Sequence, residues 1–237
     1  MRAFSRPVYF SLFAISLLLL ALAVPASAQK KSRIDDATRH AREAAETFTE
    51  IMNVRDKAIP KELLDKAEAI AVFPGVVKAA FIFGGRGGQG LISKRVRGGW
   101  SAPAFFNLSG GSFGAQIGAQ KNDYVFLIMN EKGIKGLLED KFEMGGEVGL
   151  VAGPVGREAA ASTNATLDAG ILSYSRSKGA FIGAALKGVV ISPDNDLNQA
   201  IYSMKGSELL MRNRMSLTEM PVGVRIFPRT LARYSVR

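Results

Sequence analysis

Residues Gly85 to Gly90 read GRGGQG and fit G-x-G-x-x-G, the pattern in which glycines bring backbone N–H groups against a pyrophosphate. That chemistry needs a strand before the motif, a helix after it, and an acid about 20 residues on for the ribose. A strand-like AAFIF precedes it. LISKRVRGG, which follows, alternates apolar and basic residues, and no Asp or Glu occurs from Ala69 to Asn122. The motif is therefore not a dinucleotide loop. The expectation is a glycine-rich β-turn between two strands, with Arg86 at its tip and backbone N–H groups beside it that can receive an anion.

Gly110-Gly111-Ser112-Phe113-Gly114 matches G-x-S-x-G, the hydrolase nucleophile elbow, but that chemistry needs a histidine base later in the chain. The one histidine, His40, lies upstream among Arg39 and Arg42. Ser112 is read as a small residue in a tight strand. There is no cysteine, which removes thiolate nucleophiles and zinc–cysteine sites. The carboxylate pairs Asp35/Asp36 and Glu139/Asp140 sit at expected helix ends, where capping and the helix dipole account for them. No catalytic residue, metal ligand set or cofactor is expected.

What remains is cationic. The formal charge is +10, and two of those charges, Arg2 and Arg6, precede a charge-free apolar run from Phe10 to Val24. With Ala26-Ser27-Ala28 as a small-x-small site, residues 1–28 read as a secretory signal peptide. An exported, periplasmic or secreted chain is expected, stabilised by its core and not by disulfides. The acid-free stretch holds Lys78, Arg86, Lys94, Arg95, Arg97 and Lys121, and a second one, Ala169 to Pro193, holds Arg176, Lys178 and Lys187. A basic exported chain has three classes of partner open to it, anionic lipid headgroups, acidic polysaccharide or nucleic acid, and net charge does not choose among them. Lys78, Arg86, Lys94, Arg95, Arg97, Arg176 and Lys178 are the candidate contacts if the partner is a lipid headgroup. Trp100 and Tyr174, set beside cations, are the candidate aromatics at a membrane interface.

These residues need elements to hold them. Ile34 to Val54 has Ile34, Ala37, Ala41, Ala44, Phe48 and Ile51 three or four apart and predicts an amphipathic helix. Pro60 opens a second over 60–69. From residue 70 to 193 short β-prone runs are cut by Gly, Pro or Asn-Asp, with one weak helix over Glu131–Asp140. Asp196 to Tyr202 predicts a short helix, and 204–237 reads as a basic tail with six arginines from Leu209 onward against Glu219 alone. The fold class is α+β: a strongly curved antiparallel sheet or partly closed barrel, rich in glycine, with two N-terminal helices and short further helices packed on it. Residues 29–203 form a single domain, helices over 34–69 and the β-rich part over 70–193.

IPKELLDKAEAIAVFPGVVKAAFIFGGRGGQGLISKR, GGWSAPAFFNLSGGSFGAQIGAQKNDYVFLIMN and GEVGLVAGPVGREAAASTNATLDAGILSYSRSKGAFIGAALKG together strongly resemble the SYLF domain, over about Phe48 to Asp196. The resemblance implies a non-enzymatic, lipid-binding module, with phosphoinositide and actin binding among eukaryotic members. It also implies a headgroup role for the N-terminal helix, here Lys30 to Glu50. In this chain Lys30, Lys31, Arg33, Arg39 and Arg42 are balanced there by Asp35, Asp36, Glu43, Glu46 and Glu50, so attraction to an anionic bilayer largely cancels. The partner expected is an anionic phospholipid membrane met by the basic strands, with no nucleic acid. The alternative is an envelope protein met by a sheet edge or the arginine-rich tail.

Overall fold

The computed structural model describes residues 26–54, 58–80, 83–113, 118–146, 148–156, 169–177, 180–184, 186, 188–211, 215 and 219–235. The apolar run and most of the expected signal peptide lie outside them. Helix α1, Ala26–Met52, is followed by the short α2, Lys61–Lys66. The strands are β1 Ala69–Ala80, β2 Phe83–Val96, β3 Gly99–Trp100, β4 Ala104–Phe113 and β5 Gly118–Ile128. Helix α3, Glu131–Leu137, leads to β6 Phe142–Met144, β7 Leu150–Ala152, β8 Ile171–Ser177, β9 Ala180–Gly183 and β10 Val189–Pro193. Helices α4 Asn195–Tyr202 and α5 Gly206–Met211, a 3-10 turn Val222–Arg225 and α6 Ile226–Tyr234 complete the chain.

Ten strands form one sheet in the order β6-β10-β4-β2-β1-β5-β8-β7, with β3 on β2 and β9 on β8, curled into a nearly closed barrel. The α+β class expected from the sequence is the observed one. Pairing is antiparallel except between β7 and β8, which makes the sheet mixed. Pro74-Gly75, expected as a break between strands, is a bulge inside one long β1. The register against β2 and β5 shifts there, Gly75 takes φ 57°, and its N–H donates to Asp123 Oδ1 at 2.7 Å.

GRGGQG is not a turn either. It lies within β2, paired on one side with β1 and on the other with β4. Side chains alternate between faces of a strand, and opposite residues share a face. By the registers, Val76 and Lys78 of β1, Arg86, Gly88 and Gly90 of β2, Leu108 and Gly110 of β4, and Val189 of β10 point the same way, into the barrel. A Cβ on Gly90 would lie 2.4 Å from the Val72 carbonyl oxygen and 2.5 Å from Phe73 Cδ1, and one on Gly88 would lie 2.8 Å from Val76 Cγ2. Those two glycines are missing side chains that the neighbouring strand has displaced. On the outer face a Cβ at Gly85 or Gly87 would meet nothing closer than a carbonyl oxygen at 3.9 Å.

Helix α1 buries Ala37, Ala41, Ala44, Ala45, Phe48 and Ile51, close to the expected stripe. It begins eight residues before Ile34, so Asp35 and Asp36 are mid-helix, not at its start, and Asp36 Oδ1 accepts from Arg39 at 3.2 Å. His40 is buried on the same helix, and that burial, with Arg39 beside it, lowers its pKa; it is a neutral packing residue. The segment expected as a basic tail folds onto the domain instead, α5 against β4 and the 3-10 turn and α6 against α1. Leu209, Leu210, Val224, Phe227 and Leu231 are buried, and Phe48 meets Tyr234 edge to face at 5.8 Å between ring centres. Arginines drew attention to that segment, but its apolar residues are spaced to bury one side of a helix. In α4 the fully buried Asn198 acts as a substitute strand partner: its Nδ2 donates to Phe105 O and its Oδ1 accepts from Phe105 N–H, both at 2.9 Å.

Within the glycine motif the two faces should respond oppositely. Gly90→Ala is expected to cost about 1–3 kcal/mol by overpacking, whereas Gly87→Ala should change stability by about 0.5 kcal/mol or less. Urea unfolding of the two variants beside the parent measures both.

Candidate functional site

The seven candidate cations do not share one surface. Lys78 and Arg86 lie directly opposite one another on β1 and β2, near the end of the barrel where those strands are joined. Lys94, Arg95 and Arg97 lie at the far end of β2. Nine residues of strand separate Arg86 from Arg95, about 30 Å. One acid-free stretch of sequence is thus divided between two ends of the molecule.

At the far end Arg95 is a structural residue, not a headgroup contact. Its Nε donates to Ala67 O at 2.9 Å and its Nη2 to Leu64 O at 2.7 Å, so it caps the C-terminal carbonyls of α2, where a cation also suits the helix dipole. Nη2 also donates to Ser235 Oγ at 2.6 Å, and the guanidinium lies 4.3 Å above the Trp100 ring. Trp100 is 6% exposed, held under Arg95 by the β2–β3 hairpin, and Tyr174 is fully buried, stacked on Phe181 at 5.5 Å. Neither aromatic reaches an interface. Their rings complete the core, and burial raises the Tyr174 phenol above its ordinary pKa. Arg97 is exposed in the turn before β3, and Lys94 is half-buried.

Arg176 is neutralised where it stands. Its Nη2 is 2.7 Å from Asp123 Oδ2, its Nε donates to the same oxygen at 2.8 Å, and Nη1 meets Glu50 of α1. This clamp ties β5 and β8 to the first helix. Lys178 lies outside the described residues. Among the described residues no group of three His, Asp or Glu side chains is placed to hold a metal ion.

The near end is different. Among the described residues Lys78 and Arg86 have no carboxylate partner, and the Nε of Arg86 is sealed from solvent without a hydrogen bond. On the outer face Lys121 of β5 is exposed opposite Val77, itself 41% exposed. The nearest acids by register are Asp123, which Arg176 and Gly75 occupy, and Glu143 on β6, three strands from Arg86 on the outer face. Sequence reasoning named Lys78 and Arg86 but placed Arg86 at a turn tip. It left Lys121 out of the contact set, although Lys121 falls in the same acid-free stretch.

A family model described as Ysc84, Las17-binding protein actin regulator, matches residues 109–233, more than half of the chain. LAS seventeen-binding protein 3 of Saccharomyces cerevisiae is 36% identical over 151 residues, which is 62% of this chain and 33% of that protein. Protein YSC84 of the same yeast is 36% identical over 151 residues, 62% of this chain and 32% of its own length. The SH3 domain-containing YSC84-like protein 1 of Xenopus laevis is 30% identical over 175 residues, 72% of this chain and 52% of its own. The chain thus spans from about a third to about half the length of these curated relatives.

Arg95→Lys keeps the charge but loses the forked geometry that reaches Leu64, Ala67 and Ser235 together. It is expected to lower stability by about 2 kcal/mol, read as a drop in the urea midpoint, with no change in lipid binding by the folded protein.

Proposed function

This chain belongs to the Ysc84 family of Las17-binding protein actin regulators, and on that premise we propose that it is a binding module whose basic barrel end meets anionic membrane surfaces. The observation that carries the reading is that Lys78 and Arg86, on the inner face, and Lys121, on the outer face, lie at one end of the sheet with no carboxylate paired to any of them among the described residues. Three of the sequences that join strands at that end, residues 81–82, 114–117 and 178–179, contain no acid, while the one that follows β6 carries Glu147. Two exposed apolar side chains stand on strands that reach this end, Val77 on β1 and, at 58% exposure, Ile182 on β9.

The magnitude follows from the cations that are left. Each cation near an anionic surface contributes about 1 kcal/mol, so three give about 3 kcal/mol. Arg95 and Arg176 add nothing, because their donors are already spent inside the protein. Association of this size is reversible and screened by salt. The proposal places this contact on an exported protein at the face of a membrane, acting by binding and not by catalysis.

A protein partner is the second reading. The family model is described as Las17-binding and one yeast relative is named a LAS seventeen-binding protein, and Val222, 78% exposed, lies with Ile226, Arg229 and Arg233 along a groove of about 490 Å³ between α1 and α6. That groove is on the helical side, apart from the basic end.

Co-sedimentation with vesicles separates the two. Binding should rise with phosphatidylglycerol content, fall with added salt, and weaken about tenfold or more in Lys121→Glu while Arg97→Glu behaves as the parent. Equal uptake on neutral phosphatidylcholine, or equal loss in both variants, would reject the basic-end reading. Val222→Asp should leave lipid binding intact and abolish capture of a protein partner. An unchanged partner capture in that variant would remove the groove from consideration.

A further inference from the structure

Lys78 and Arg86 are directly opposed like charges on two paired strands. Such a pair is destabilising on a sheet unless something of opposite sign lies between or above it. Here it also faces inward. Val76, two residues before Lys78, is fully buried, and Val189, on the same inner row beyond Gly110, is buried as well. Arg86 Nε is out of reach of solvent and has no acceptor. The contrast with other arginines of the protein is informative. Arg95 has three acceptors, Arg176 has two carboxylates, and Arg225 donates twice to Met220 O. The fold satisfies guanidinium groups elsewhere and leaves this one short of an acceptor.

The surroundings leave room for one. Arg86 is flanked along its own face by Gly84 and Gly88, and the residue opposite it on β4 is Gly110. A Cβ on Gly110 would lie 3.5 Å from Arg86 Cγ and 2.9 Å from Gly188 O, so the stem of the arginine runs across a strand stripped of its side chain. Val76, pressed against Gly88, closes the floor. Gln120 of β5 continues the row beyond Lys78. A planar fork of donors beside a compact ammonium, above an apolar floor and with no acid adjacent among the described residues, suits a tetrahedral oxyanion, and two positive charges match a dianion.

We propose that Lys78 and Arg86 form a discrete oxyanion site inside the mouth of the barrel, which takes one phosphate monoester group. The inference deepens the reading of the basic end and rests on it for whether a lipid carries the phosphate, not for the existence of the site. A phosphate monoester reaches the site either as a lipid headgroup or as free phosphate.

Thermal unfolding of the full chain in inorganic phosphate, against chloride at matched ionic strength, tests the site. Phosphate should raise Tm in a saturable way that chloride does not reproduce, with one phosphate bound per chain by calorimetry. Arg86→Gln and Lys78→Gln should each bind phosphate about 10- to 100-fold more weakly. In chloride both should be at least as stable as the parent, because the like-charge repulsion is gone. That second readout separates a ligand site from a merely structural role. Lys132→Gln, on the exposed side of α3, should keep the full phosphate effect. Equal Tm in phosphate and chloride, or an undiminished phosphate effect in Arg86→Gln, would overturn the proposal; if Arg86→Gln does not fold, the parent titration and Lys78→Gln decide. Vesicles of phosphatidic acid and of phosphatidylglycerol at equal surface charge then identify the source. Preference for phosphatidic acid, lost in Arg86→Gln, supports a lipid headgroup, and unchanged vesicle binding with loss of the free-phosphate effect supports the soluble ligand. Failure of all vesicle binding with the free-phosphate effect intact would sink the membrane reading and support the site.

Discussion

The barrel depends on how closely β1 can lie against β2. Phe73 and Val76 occupy the space that side chains of Gly90 and Gly88 would need, and this lets the most central pair of strands bend sharply while their backbones stay paired. The bulge at Pro74-Gly75 supplies the local change of direction, held by Asp123 from the next strand. Interlocking of this kind recurs at the seam. The Cβ position of Gly183 on β9 lies 2.1 Å from the Gly153 carbonyl oxygen, and that of Gly153 lies against the Tyr174 ring. The same aromatic that stacks on Phe181 therefore also sets how near the segment after β7 can come.

With the sheet bent, the cations sort themselves by what the bend brings near them. Arg95 falls where α2 presents its last carbonyls, and Arg176 where Asp123 and Glu50 meet, so both become internal ties. At the other end the strands carry glycine where those carbonyls and carboxylates would have to stand. Among the described residues charge there is left uncompensated because of geometry and not merely because of composition. A net charge describes the chain, but only the registers decide which of those charges a ligand meets.

Much of this was legible in the residues. The apolar spacing of α1, the alternation of the short strands and the density of glycine led to the α+β class and to a strongly curved sheet. Other features were not legible, for physical reasons. Pro74-Gly75 reads as an end of strand locally, and only pairing on both sides shows it to be a bulge. GRGGQG looks like a turn because glycine permits turns, yet glycine is equally what close packing requires, and the chain alone does not distinguish the two uses. Trp100 lies under Arg95 and Tyr174 shares a strand face with Arg176, but on that face both rings are covered by packed neighbours, which adjacency in sequence does not reveal. The C-terminal helices hide behind their arginines for a similar reason: three apolar residues suffice to bury a short helix, whatever its other side carries.

Ser235 meets Arg95 across 140 positions and Leu64 across 171, joining the end of α2, the end of β2 and the segment after α6 at one point. Contacts that span most of a chain form slowly, since the intervening loop must lose its freedom before the contact repays it. Hairpins such as β1–β2 and β8–β9 have no such handicap. The order of assembly implied is a curved sheet first and the three-way junction last, so that during maturation Arg95 remains for a time an exposed cation above an uncovered indole. A chain without this closure would display a basic and aromatic surface that the finished molecule conceals.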